Sequence, residues 1–262
     1  MRGAVLFFLF ILQLGWSQDP LARLENSPRH HEWITLNAAD KPIKSFLVYP
    51  EVAQMATVVI LIHENRGLND WARSMADQIA EMGYIALAPD FLWGSAPNGE
   101  GTSAYENPDA ARTGIYSLDP EGIKAMLDAA SEFAQKIPAA NGKVVVIGFC
   151  WGGSQSFQYA TAASGIEAAI VCYGTGPQNP EAYATISVPV YGFYGGNDNR
   201  VNATIGASQK AMEKNTALFE PVIYEGAGHG FFRAGEAPDA SAANKIARTE
   251  GLKRLRQILS QI

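Results

Sequence analysis

Histidine and cysteine are scarce in this chain: its 262 residues hold four of the first and two of the second. The cysteines, Cys150 and Cys172, are too few for a disulfide framework, so an apolar core must hold the fold. The histidines, at 30, 31, 63 and 229, give no H-E-x-x-H or similar ligand spacing, and neither a metal nor an organic cofactor is expected. Positive charge is also short. The formal net charge is −6 and no basic cluster occurs, which argues against nucleic acid or an anionic membrane surface as partner. Neither G-x-G-x-x-G nor G-x-x-x-x-G-K-[ST] is present, so phosphate binding by a glycine-rich turn has no support.

Long apolar runs are missing too, with one exception at the start. Ala4 to Leu14 is almost wholly apolar, follows Arg2, and leads to Gly15-Trp16-Ser17. The run is shorter than the roughly 20 residues that cross a bilayer. It reads as a signal peptide over residues 1–17 with cleavage after Ser17, the alternative being an uncleaved anchor. The remainder, 18–262, is then a secreted or periplasmic domain with no stable membrane insertion. One domain of this length is ordinary. The oligomeric state stays open.

What is present alternates. Thr57–Ile62 (TVVILI) and Lys143–Gly148 (KVVVIG) are β-branched runs of the kind covered on both faces. Strand-like stretches also fall at Trp33–Leu36, Lys44–Tyr49, Tyr84–Ala88, Glu167–Tyr173, Val188–Tyr194 and Pro221–Tyr224. Helical spacing joins Trp71, Met75, Ile79 and Met82 before Gly83, and Ile123, Met126, Leu127, Ala130, Phe133 and Ala134 after a start at Asp119-Pro120-Glu121. Further helices suit Trp151–Ala163, Ala203–Asn215 and a C-terminal stripe of Ile246, Leu252, Leu255, Leu259 and Ile262. Gly94–Ser117 shows little periodicity and reads as an unstructured insertion, either a lid or a plain surface loop. Alternation of this kind predicts an α/β fold, a mostly parallel central sheet with helices on both faces.

The sharpest motif is Gly148-Phe-Cys-Trp-Gly-Gly153, directly after a buried strand and before a helix. It has the nucleophile-elbow form G-x-Nuc-x-G with Cys150 in the nucleophile position. Glycines let the backbone close tightly, the helix N-terminus favours a thiolate, and the Trp151 N–H points toward a developing oxyanion. An acid and then a histidine should follow. Asp198 is the only aspartate between Cys150 and His229, and His229 is the only histidine after Cys150. Both fall after predicted strands, where open parallel sheets place their sites. His229 then holds and deprotonates Cys150, and Asp198 orients the imidazole. His30 and His31 read as solvated, and His63 as close to the site but out of triad order.

With these residues in place the chain resembles the dienelactone hydrolase family. His63-Glu-Asn-Arg-Gly-Leu68 running on to Ala88-Pro-Asp90, the Cys150 elbow, and Gly226-Ala-Gly-His-Gly-Phe231 carry the likeness. The resemblance implies an α/β-hydrolase fold and attack of a thiolate on a small ester or lactone. It implies that Glu64 takes part in activating the thiol, the alternative being that Glu64 only orders its loop, and that Asn65 gives the second oxyanion N–H. It also implies that Arg233 meets a substrate carboxylate. The family's second arginine, after the Pro-Asp segment, has no counterpart in Phe91-Leu-Trp-Gly94; Arg66 and Arg112 are the candidates to replace it. Trp93, Tyr105, Trp151, Phe231 and Phe232 are candidate pocket aromatics. Two other readings stay open: a non-catalytic binding protein on a hydrolase scaffold, and redox control through a Cys150–Cys172 disulfide, against Cys172 as a buried apolar residue.

Overall fold

A computed structural model describes residues 19–38, 41–96 and 98–262. The leader expected over 1–17 lies outside the described residues. In chain order the elements are α1 (Pro20–Glu25), β1 (His31–Ala38), β2 (Lys41–Val48), β3 (Ala56–Ile62), α2 (Asp70–Glu81), β4 (Ile85–Pro89), α3 (Pro108–Tyr116) and α4 (Pro120–Ala134). Then come β5 (Ala140–Phe149), α5 (Trp151–Ala160), β6 (Ala168–Cys172), β7 (Val190–Gly195), α6 (Asn199–Asn202), α7 (Ile205–Met212), β8 (Phe219–Tyr224), α8 (Phe231–Ala234) and α9 (Ala242–Leu259).

The strands form one sheet in the order β1-β2-β4-β3-β5-β6-β7-β8. It is parallel from β4 through β8, and β2 runs antiparallel to both β1 and β4. The two-residue period of a strand decides which helix layer each side chain meets. Val59, Leu61, Val145, Ile147, Phe149, Ile170 and Cys172 pack with α1, α2 and α9 on one face. Their neighbours Val58, Ile60, Ile62, Val144 and Val146 pack with α3 and α4 on the other. Burial on both faces explains why TVVILI and KVVVIG are continuous apolar runs rather than alternating ones. No helix among the described residues is long and apolar enough to cross a membrane.

The structure departs from the sequence reading in four places. The described residues of the 94–117 insertion are ordered: Thr102 donates from both its N–H and its hydroxyl to the Asp90 carboxylate (2.7 Å each), and α3 follows. Asn107 caps α3 by accepting from the Asp109 and Ala110 N–H groups, with Pro108 in the first turn, so a local start signal replaces the missing apolar stripe. The same device starts α1 at Asp19-Pro20, a helix outside those expected from the sequence. The helix expected over 203–215 is the shorter α7, and α6, a single turn, precedes it outside that range. Finally, His31 is not simply solvated: its Nε2 lies 2.8 Å from the wholly buried Asp77 carboxylate, which also accepts from Ser27 and Arg29 and so fastens the N-terminal segment to α2.

Parallel strands all deliver their following loops to one edge of the sheet. Glu64 follows β3, Asp90 β4, Cys150 β5, Tyr173 β6, Asp198 β7 and His229 β8. Six chemically capable side chains thus converge at the carboxyl ends of consecutive neighbours, where α/β sheets bind their ligands.

Candidate active site

The turn from β5 to α5 places Cys150 at φ 56°, ψ −114°. Such backbone costs a non-glycine residue about 1–3 kcal/mol, and only tight surroundings hold it. Gly148 and Gly152 supply them. A Cβ on Gly148 would lie 1.8 Å from the Gly152 carbonyl oxygen, and one on Gly152 would lie 2.3 Å from that of Ile62. Without side chains there, the start of α5 presses against the ends of β5 and β3. The Cys150 N–H is used internally, donating to the Cys172 carbonyl (3.0 Å).

Cys150 Sγ lies 3.1 Å from His229 Nε2, and His229 Nδ1 lies 2.5 Å from Asp198 Oδ2. A carboxylate only accepts, so the His229 proton sits on Nδ1 and Nε2 is free to take one from sulfur. Asp198 is buried, and its other oxygen accepts from the Val201 N–H at the start of α6. The two loops are tied together: Asn197 donates from its backbone to Ala227 and from its side chain to Gly226. Gly228 N–H in turn donates to Asn244 of α9 (2.9 Å). Backbone hydrogen bonds therefore hold acid and base in mutual register.

Glu64 is buried to 3% exposure and fully partnered. Arg233 Nε donates to Oε2 (2.8 Å) and the Tyr173 hydroxyl to Oε1 (3.3 Å). Burial, then the Glu64 charge, pushes the Tyr173 phenol well up, so it remains a donor. Burial first and Glu64 second also push the Cys150 thiol up. The backbone N–H groups of Trp151 and Asn65 face the thiol and act the other way, as does Arg200 at longer range. Burial and the Glu64 charge prevail, and the thiol at rest is neutral.

Of the residues expected at the site, Cys150, His229, Asp198, Glu64, Arg233 and the amides of Trp151 and Asn65 are brought together. Phe231 is not a cleft residue. It is wholly buried, stacked on Phe232 and set against Tyr173, because the turn at Gly230 directs it under the His229 loop. Phe232 is buried likewise. Trp151 turns inward over His63 rather than toward a pocket. Trp93 and Tyr105 line a cavity of about 740 Å³ that also takes in Arg66 but neither Cys150 nor His229. Arg112 pairs with Asp109 on the exposed side of α3. Both cysteines are free thiols, Cys172 wholly buried. No group of three or more His, Cys, Asp or Glu among the described residues is placed to hold a metal.

Sequence reading missed Tyr173. It has a positive φ of 42°, bonds Glu64, and sets its ring edge-on to His229 with centroids 5.1 Å apart. Its place as the last residue of a predicted strand, at the sheet edge that carries the site, was the available signal.

The Glu64 charge yields a prediction. Removing it in Glu64→Gln takes a negative charge from beside the thiol and leaves Arg233 uncompensated, and both changes favour the thiolate. The pH profile of Cys150 alkylation by iodoacetamide is expected to move to lower pH. An unmoved profile, or one moved upward, contradicts this electrostatic account.

Known proteins resemble this chain in sequence and in fold. The carboxymethylenebutenolidase of Pseudomonas putida is 28% identical over 237 residues, which covers 88% of this chain and 98% of that protein. A dienelactone hydrolase-like promiscuous phosphotriesterase from metagenomic libraries superposes with a TM-score of 0.73 at 21% identity, covering 89% of this chain and 98% of its own. The dienelactone hydrolase of Anabaena variabilis gives 0.62 at 18%, covering 85% and 95%. At those identities the two structures speak for the fold. The dienelactone hydrolase family model matches residues 43–262, and the chain belongs to that family of hydrolases and has the α/β-hydrolase fold.

Proposed function

We propose that this chain is an exported enzyme that hydrolyses a small carboxylic ester or lactone through an acyl-cysteine intermediate. The reading rests on one line of contacts: Cys150 Sγ to His229 Nε2 at 3.1 Å, and His229 Nδ1 to Asp198 Oδ2 at 2.5 Å. Two backbone N–H groups, of Trp151 and Asn65, face the same sulfur.

In this mechanism His229 Nε2 takes the thiol proton as sulfur attacks the carbonyl carbon, and Asp198 stabilises the imidazolium that forms. The carbonyl oxygen becomes an oxyanion between the Trp151 and Asn65 amides, which are already oriented and so add no reorganisation cost. Collapse breaks the carbon–oxygen bond. The leaving alkoxide takes the proton back from His229, and in a lactone it stays tethered to the acyl group. His229 then deprotonates a water that attacks the thioester, and the acid leaves with Cys150 restored as thiol. Because Cys150 is neutral at rest, attack must be coupled to proton transfer. Glu64, whose charge opposes the thiolate, and Arg233, which neutralises Glu64, therefore govern reactivity. Arg233 is partly exposed and is the group we assign to a carboxylate on the substrate. A lactone is favoured as first substrate by the relative named carboxymethylenebutenolidase.

Hydrolysis should be measured across nitrophenyl esters, lactones and thioesters, with reductant present, for the wild type and Cys150→Ala. The wild type is expected to turn over at least one of them, and Cys150→Ala to lose about a thousandfold or more. A variant that keeps its activity, or a reduced wild type that hydrolyses none, contradicts the proposal. Export rests on the Met1–Ser17 pattern. Chain recovered from a secreting bacterial host is expected to begin at Gln18, and an intact Met1 on the recovered chain contradicts cleavage.

A further inference from the structure

His63 is wholly buried, directly precedes Glu64, and takes no part in the mechanism above. Both of its ring nitrogens are nonetheless engaged. Nδ1 lies 2.8 Å from the backbone carbonyl oxygen of Glu64, and the Phe91 N–H points at Nε2 from 3.3 Å. A carbonyl oxygen can only accept and a backbone N–H can only donate. The partners therefore fix the tautomer: the proton is on Nδ1, and Nε2 is the acceptor. Turning the ring over would set donor against donor and acceptor against acceptor, so the ring is fixed as well.

The Glu64 carbonyl belongs to the same peptide group as the Asn65 N–H. In a trans peptide these two point in opposite directions across a rigid plane. Drawing the oxygen toward His63 therefore turns the N–H away from it, toward Cys150 Sγ, which it faces. Donation to the carbonyl also polarises the peptide and strengthens its N–H as a donor. The other face of the imidazole reaches the second amide. His63 stacks on the Trp151 ring, with centroids 5.7 Å apart and planes at 23°, and Trp151 carries the N–H at the start of α5. The bare Gly152 backbone meets the carbonyls of Ile62 and His63, so the two donor segments lie in direct contact here.

We infer that His63 is the positioning residue of the oxyanion site, acting as a neutral, Nδ1-protonated imidazole that orients the Asn65 N–H through the Glu64 carbonyl and braces Trp151 by stacking. The inference rests on the proposed acyl transfer and concerns how its oxyanion is received. His63 touches neither sulfur nor substrate, and its effect passes through two backbone amides.

Two conservative variants separate its two hydrogen bonds. In His63→Asn the side-chain amide N–H takes the place of Nδ1–H and still reaches the Glu64 carbonyl. In His63→Gln the longer amide reaches the Phe91 N–H and leaves that carbonyl with the Gly67 N–H (3.2 Å) as its remaining donor. Loss of a whole oxyanion donor costs about 10²–10³ in kcat, so a misdirected one in His63→Gln is expected to cost about tenfold or more, with KM little changed. His63→Asn should keep several times more of kcat than His63→Gln. Alkylation of Cys150 by iodoacetamide develops no oxyanion and loses only the smaller help that the Asn65 N–H gives the thiolate, so its rate should fall far less than kcat in His63→Gln and stay near the wild type in His63→Asn. In the wild type, imidazole 15N–1H correlation spectra should show His63 protonated on Nδ1.

Wild-type kcat in His63→Gln overturns the inference, as does an Nε2-protonated tautomer. Equal loss of ester turnover and alkylation in both variants also overturns it, because a general disturbance of the site would then suffice. A wild type that hydrolyses no ester removes the acyl-transfer reading and this role with it. A wild type that hydrolyses esters while His63→Gln does so equally well removes the role of His63 alone.

Discussion

At Cys150 the chain turns from strand to helix through a backbone conformation that its side chain disfavours, and the rest of the site depends on that turn being held. The strain is worth about 1–3 kcal/mol, and removing side chains from its neighbours is what lets the structure hold it. With Gly148 against the Gly152 carbonyl and Gly152 against that of Ile62, the start of α5 rests on the ends of two buried strands. Three consequences follow from that contact. The sulfur stands at the apex within reach of His229, the Trp151 N–H is turned toward it, and the loop after β3 is close enough to offer a second N–H.

Electrostatics at this turn pull in opposite directions. The N-terminus of α5 and two amides favour a thiolate, whereas burial and the Glu64 carboxylate oppose it and prevail. Glu64 is itself a charge that burial disfavours, and Arg233 with the Tyr173 hydroxyl offsets that cost. Resting sulfur is thereby less nucleophilic than the triad alone would make it, but also less open to oxidation, which proceeds through the thiolate. For the exported enzyme proposed above, that exchange of reactivity for durability has a plain use.

How much of this was legible in the sequence depended on the kind of signal. Strands covered on both faces declare themselves as β-branched runs, so β3 and β5 were readable. The elbow is a local pattern of six residues. Asp198 and His229 could be found because few aspartates and histidines follow Cys150 and because their order along the chain is constrained. Ordered structure in 94–117 was harder to see, since only Ala111 and Ile115 of α3 are buried and a start signal alone sets the helix. Asp19-Pro20 and Asn107-Pro108 carry the same signal that identified Asp119-Pro120 as a helix start, so the information was there to be used. Phe231 could not be placed from its type. The left-handed turn at Gly230 sends it into the core, and chain direction after a turn is not a compositional property. The pairing of Glu64 with Arg233 joins residues 169 positions apart and depends on the order of the strands.

The proposed chemistry requires a covalent bond to Cys150. Wild-type protein mixed with a nitrophenyl acetate, quenched in acid within the first turnover and digested, should yield the peptide containing Cys150 carrying one acetyl group, released by hydroxylamine as a thioester is. Protein that hydrolyses the ester while every cysteine remains unmodified, or that carries the acetyl group on another residue, contradicts it.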